Sequence, residues 1–222
     1  MNAIDMESKE SPKPEKTLSR FMIWVDGVGG FMVCAEVSNS IGQATEQNNV
    51  AIPISGDIQQ VHAKIQSDDT GHLLHPVGPV FVDQQPVLEP QLLTDNRTFE
   101  MGDSVSLRYC KPHPWSTTAV ISFESRNRTY PWSDAVLIAG NTIILGPNAQ
   151  SHIRCTRWEH EVILLRRDDQ WHCRSFADFT IDGESVEMEG TLNGNSRVEG
   201  RDFSFSLEKL VVDESHDSGG SR

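Results

Sequence analysis

Residues 93–109 read LTDNRTFEMGDSVSLRY and residues 192–208 read LNGNSRVEGRDFSFSLE. Each stretch opens on a polar turn, passes an apolar residue and then a Gly and an Asp, and closes in alternation. Val105, Leu107 and Tyr109 share one face in the first, and Phe203, Phe205 and Leu207 share one face in the second. A period of two is that of a strand with one buried side, so the two stretches predict one closing element used twice.

Working outward, three more segments recur in the same order. MVCAEVSNSIGQ at 32–43 reads against VLIAGNTIILGP at 136–147, VHAKI at 61–65 against SHIRC at 151–155, and VFVDQQPV at 80–87 against FTIDGESV at 179–186. Between them Gly, Pro, Asn or Asp clusters punctuate the chain every 8 to 12 residues, the rhythm of short strands and turns. No segment sustains an apolar period of 3.6 with caps, so no long helix is expected. The fold class predicted is all-β, two tandem β-sandwiches at 20–112 and 116–212, with tails at 1–19 and 213–222 too polar to pack. The boundary falls in KPHPWS at 111–116, where two prolines stand among breakers. Trp24, Trp158 and Trp171 are candidate core or inter-domain anchors, and Trp115 and Trp132, flanking the junction, are expected to fix the angle between the units.

The 222 residues carry 32 acidic and 19 basic side chains, a formal net charge of -13, with 37% apolar residues. Apolar content of that order suffices for two cores. An acidic surface disfavours nucleic acid and anionic membranes as partners, because both are held through Lys and Arg. No apolar run is long enough to cross a bilayer and Met1 to Arg20 lacks the apolar centre of a secretory signal, so a cytoplasmic location is expected. Four cysteines are too sparse for a disulfide framework and read as buried thiols. Cys110 with His113, His152 with Cys155, and His172 with Cys173 are the pairs a metal site would use, but none repeats the close spacing of a zinc knuckle. His72 and His75 with His62 upstream read as loop or strand-edge residues. No metal and no cofactor is expected, and the phosphate-loop, nucleophile-elbow and His-Glu-x-x-His motifs of enzymes are missing.

The order of a Gly after a strand, a His leading into a strand, a turn with Val-Asp or Ile-Asp-Gly, and a closing Gly-Asp strand resembles the forkhead-associated (FHA/SMAD-like) domain, seen twice across roughly 21–212. The resemblance implies an eleven-strand sandwich whose end loops grip a phosphothreonine peptide, through Gly-Arg, Ser-Arg-x-His and Asn-Gly. Gly42 and His62 in the first unit, and Gly146 and His152 in the second, match the scaffold positions. Gln43 stands at the Arg position, Gln59 and Gln60 at the Ser-Arg pair, and Val77 or Gly78 at the Asn; in the second unit Pro147 and Ala149 replace Arg and Ser. Hydrogen bonds to a charged group are worth about 1.5–3 kcal/mol each, so the resemblance implies a non-catalytic, phospho-independent protein-binding scaffold. The alternative is a rearranged anion site for a phosphorylated or acidic segment. Arg154, Arg157 and Arg174, with Arg166 and Arg167 beside them, are its candidates.

Overall fold

The structure is a computed structural model and describes residues 18–45, 50–68 and 70–210. The expected tails lie almost entirely outside the described residues. Twenty-two strands follow one another, and no helix occurs among the described residues. The first eleven are β1 Arg20–Val25, β2 Gly29–Cys34, β3 Ser38–Gln43, β4 Ile52–Ile54, β5 Ala63–Asp68, β6 Gly71–Pro76, β7 Val80–Val82, β8 Gln85–Pro86, β9 Gln91–Leu93, β10 Arg97–Met101 and β11 Val105–Cys110. The second eleven are β12 Ala119–Phe123, β13 Ala135–Ile138, β14 Thr142–Gly146, β15 Ile153–Arg154, β16 Val162–Arg167, β17 Gln170–Ser175, β18 Phe179–Ile181, β19 Glu184–Val186, β20 Glu189–Leu192, β21 Arg197–Gly200 and β22 Ser204–Lys209. Each half thus has the eleven strands that the resemblance implies, and the fold is all-β.

The strands form one twelve-stranded sheet, in the order β19-β18-β21-β22-β1-β2-β13-β12-β11-β10-β7-β8, and two five-stranded sheets, β4-β3-β5-β6-β9 and β15-β14-β16-β17-β20. The long sheet is the same six-strand arrangement twice, read outward from its centre. Its halves are closed by the opposite repeat's opening hairpin. β12 pairs with β11, Tyr109 opposite Ile121, and β1 pairs with β22, Ile23 opposite Leu207 and Val25 opposite Phe205. At the centre β2 and β13 run parallel, with Met32 beside Val136 and Cys34 beside Ile138.

Two separate cores result. One, lying under β4-β3-β5-β6-β9, gathers Ile41, Ile65, Leu74, Phe99, Leu107 and Tyr109 with Ile121 and Ile138; the other gathers Leu145, Leu164, Trp171, Phe205 and Leu207 with Phe21, Ile23 and Val33. Central strands serve both. Met22, Met32 and Cys34 enter the first core while Phe21, Ile23, Val25 and Val33 enter the second. Such strands read as continuous apolar runs rather than alternations, because both faces are dry, and Phe21-Met22-Ile23 and Ala135-Val136-Leu137-Ile138 are such runs.

The expected division at 111–116 therefore does not divide the cores. The first core is built from 41–138 together with Met22, Met32 and Cys34, and the second from 137–207 closed by Phe21, Ile23, Val25, Val33 and Ala35. The physical reason lies in the repeat: β11 and β22 offer equivalent ladder edges, so either can receive either hairpin.

The tryptophans divide accordingly. Trp171 is buried in the second core, meets Phe21 edge-on with ring centroids 5.7 Å apart, and donates to the Leu18 carbonyl at 2.9 Å. Trp158 lies in the same core, and Trp24 packs against the first while its Nε1 donates to Glu208 at 2.7 Å. Trp115 is 91% exposed, so the expectation that it fixes the angle between the units is corrected: the β2–β13 ladder does that. Trp115→Ala should shift unfolding free energy by no more than about 0.5 kcal/mol and leave the solution scattering profile unchanged; a changed profile would restore the junction role.

Cys34, Cys155 and Cys173 are buried, their thiols pushed up to about 12 chiefly by burial. Cys110 is pushed up to about 11 by burial and then by Asp95. All four are thiols held protonated, and no group of three or more metal-binding side chains occurs among the described residues.

Candidate functional site at the loop end of the first sandwich

Because β2 and β13 run parallel, the hairpin turns that precede them lie at the same end of the long sheet. The two turns differ greatly. β1 and β2 are joined by three residues, 26–28, whereas β12 and β13 are joined by eleven, 124–134.

The scaffold positions of the first unit do come together at this end. The Gly42 backbone runs so close to the loop before β5 that a Cβ there would sit 1.8 Å from the Gln60 carbonyl oxygen. Gln43 N donates to the Gln59 carbonyl at 3.0 Å, and its side chain reaches the Gly56 carbonyl at 3.4 Å. His62 is 2% exposed; its Nδ1 accepts from Gln59 N at 3.1 Å, which leaves Nε2 to donate to the Pro79 carbonyl at 2.8 Å. One ring thereby ties the loop before β5 to the loop before β7. Gly78 leaves room for it, since a Cβ at that position would lie 2.7 Å from the ring.

In the second unit the alignment of SHIRC with VHAKI is corrected. Ile41 pairs with Ile52 and Ala63, and Leu145 pairs with Ile153 and Val162. Ile153 is thus the counterpart of Ile52, Glu161 that of His62, and His152 that of Ala51. Gly146 does match Gly42, and a Cβ there would lie 2.9 Å from the Glu161 side chain. His152 faces inward: its Nδ1 accepts from Ile144 N at 2.9 Å, and burial, then the nearby His113 ring, push it down to about 4. A coincidence of one His in two short strings misplaced it.

The arginines of the second unit do not converge. Arg154 on β15 and Arg174 on β17 are separated by β14 and β16, about 14 Å at the usual strand spacing. Arg174 lies over the exposed Phe176 ring at 5.8 Å, and Arg157 stands exposed in the turn after β15. Arg166 donates to the Ala35 carbonyl at 2.7 Å and pairs with Asp169, while Arg167 pairs with Glu189 at 2.7 Å.

Composition and spacing did not single out the connector 124–134, ESRNRTYPWSD. It is laid against β4 by backbone bonds, Ser55 N to the Arg128 carbonyl and Tyr130 N to the Pro53 carbonyl, both 2.9 Å, and by Asn127 Nδ2 to the Ser55 carbonyl at 2.8 Å. Inside it the buried Thr129 donates to the Pro131 carbonyl and receives from Ser133, both at 2.7 Å. Asp134 accepts from Gly30 N at 2.9 Å, and Arg128 lies over Phe123 at 5.2 Å and donates to the carbonyls of Ser125 and Asn127. The peptide bond between Tyr130 and Pro131 is cis.

This anchoring holds two large rings in solvent, Tyr130 at 74% and Trp132 at 51% exposure. Ser55, Arg126, Arg128, Tyr130, Pro131 and Trp132 line a groove of about 720 Å³. Arg126 is exposed and makes no hydrogen bond or ion pair among the described residues. Two arginines, a Tyr, a Pro and a Trp within seven residues of a loop was the available signal, since Trp, Tyr and Arg dominate protein-binding hot spots.

No protein-family model and no curated protein matches the chain. Among solved structures, the N-terminal FHA domain from EssC, a component of the bacterial Type VII secretion apparatus, aligns over 88% of this chain and 95% of its own at 11% identity, with a TM-score of 0.25. A likeness of that degree carries no functional weight.

Proposed function

We propose that this chain is a non-catalytic protein-binding module that takes a peptide segment of its partner in the groove beside Tyr130 and Trp132. One observation carries the reading: an eleven-residue connector, pinned at both ends and through its middle, keeps a Trp and a Tyr in solvent. Ordering a binding loop costs affinity, and a loop already ordered avoids that cost. The neutral Gln43, Gln59 and Gln60 at the clasp positions support recognition that does not require phosphate, and the dispersal of Arg154, Arg157 and Arg174 disfavours the rearranged anion site in the second unit.

The test is selection of binders from a displayed random peptide library on the full chain. Enriched peptides should lose on the order of 100-fold in affinity on the Tyr130→Ala, Trp132→Ala double variant, as hot-spot truncations do. Peptides that bind both proteins equally would place the binding surface elsewhere.

A further inference from the structure

We infer that the groove at the 124–134 connector takes an acidic, unphosphorylated segment, one carboxylate held by Arg126 while an adjacent apolar side chain lies against Tyr130 and Trp132. This rests on the protein-binding reading above and names the chemistry of the partner. The lining carries two arginines and no carboxylate. Arg126 has its guanidinium open, the Ser55 hydroxyl makes no hydrogen bond among the described residues, and the Asn127 amide already donates to Ser55. The carboxylates of the connector are turned to other tasks, Glu124 pairing with Arg108 and Asp134 capping Gly30 N. Arg126 is thus an unpaired cation in a chain of net charge -13, and a partner supplying the missing anion is the complement.

Side-chain freedom selects the kind of anion. Arg128 keeps its charge, but it is held in the loop by Nη1 donating to the connector's own carbonyls and by the Phe123 ring, which leaves Arg126 as the guanidinium of the groove that no contact holds in place. A single fork matches the two oxygens of one carboxylate. A phosphate dianion would call on a second guanidinium free to turn onto it, and Arg128 is tied back to its own loop.

Fluorescent pools of short degenerate peptides, differing only in a central Glu, Gln or phosphothreonine, test this by anisotropy on the full chain. The Glu pool should bind on the order of tenfold tighter than the Gln pool, the loss expected for one charge-assisted hydrogen-bonded pair. That margin should vanish on Arg126→Gln and persist on Arg154→Gln. Equal binding of Glu and Gln pools, tightest binding of the phosphothreonine pool, a margin that survives Arg126→Gln, or no binding by any pool each overturns the inference. Equal Glu and Gln binding that is lost on Trp132→Ala sinks this inference alone and leaves the groove's role standing; binding indifferent to both Trp132→Ala and Arg126→Gln sinks both.

Discussion

A chain cut to residues 116–212 is expected not to fold, although it contains an entire sequence repeat. Without β1 and β2 the second core loses Phe21, Ile23, Val25 and Val33, all buried in the whole chain. At about 1.5–3 kcal/mol for each fully buried side chain, the four contribute roughly 6–12 kcal/mol, comparable to the whole net stability of a typical domain. β22 would also become an open edge, a site for aggregation. A fragment spanning 18–138 keeps every strand that lines the first core, β1 to β13, with Met22, Met32 and Cys34 in place, and should give the dispersed amide spectrum of a folded β protein. Adding a peptide of residues 18–37 to the 116–212 fragment should restore structure. Independent folding of 20–112 and 116–212, each with a cooperative urea transition, would refute the exchange of hairpins.

Acid should weaken the fold well before the carboxylates titrate. His72 is 2% exposed, with Nδ1 2.7 Å from the Tyr109 hydroxyl, and burial, then the Lys111 charge, hold it down to about 4. His152 is likewise down to about 4, by burial and then by His113. An unfolded chain protonates both near pH 6.5, so between 6.5 and about 4 it binds protons that the folded chain refuses. Stability is therefore full above pH 6.5 and falls as the pH drops toward 4, by on the order of 3–5 kcal/mol for the two rings together. Asp26 and Asp83, lowered by side-chain hydrogen bonds from Arg197 and Arg97, act only below that window. The urea midpoint should decline from pH 7 to 4.5, and His152→Gln should remove about half of the slope. A midpoint that stays flat over this range would mean that both rings take up protons within the folded protein.

The strands were legible because alternation is local. Val105, Leu107 and Tyr109, or Phe203, Phe205 and Leu207, announce their buried face without reference to any partner. The closing repeats at 93–109 and 192–208 fall on β9–β11 and β20–β22, as their shared pattern requires. Short strings carried less. VHAKI and SHIRC share a His by coincidence, and the connections between β14 and β15 and between β15 and β16 are shorter than those of the first repeat, which shifts the register of the second His onto another element. The groove at 124–134 was the least legible feature. Its anchor is Ser55, 72 positions away from Asn127, and composition alone cannot separate a Trp that fills a core from one held in solvent.

The amino-acid order by itself determined that the protein is all-β and that one pattern of strands and turns occurs twice, since periodicity and side-chain chemistry belong to each residue. Only the tertiary structure decided which hairpin closes which sandwich and which loop carries the exposed rings. Two equivalent strand edges offer equivalent backbone ladders, so the choice between them is made by side chains packing on both faces of β1, β2 and β13, contacts that exist only after the chain has folded.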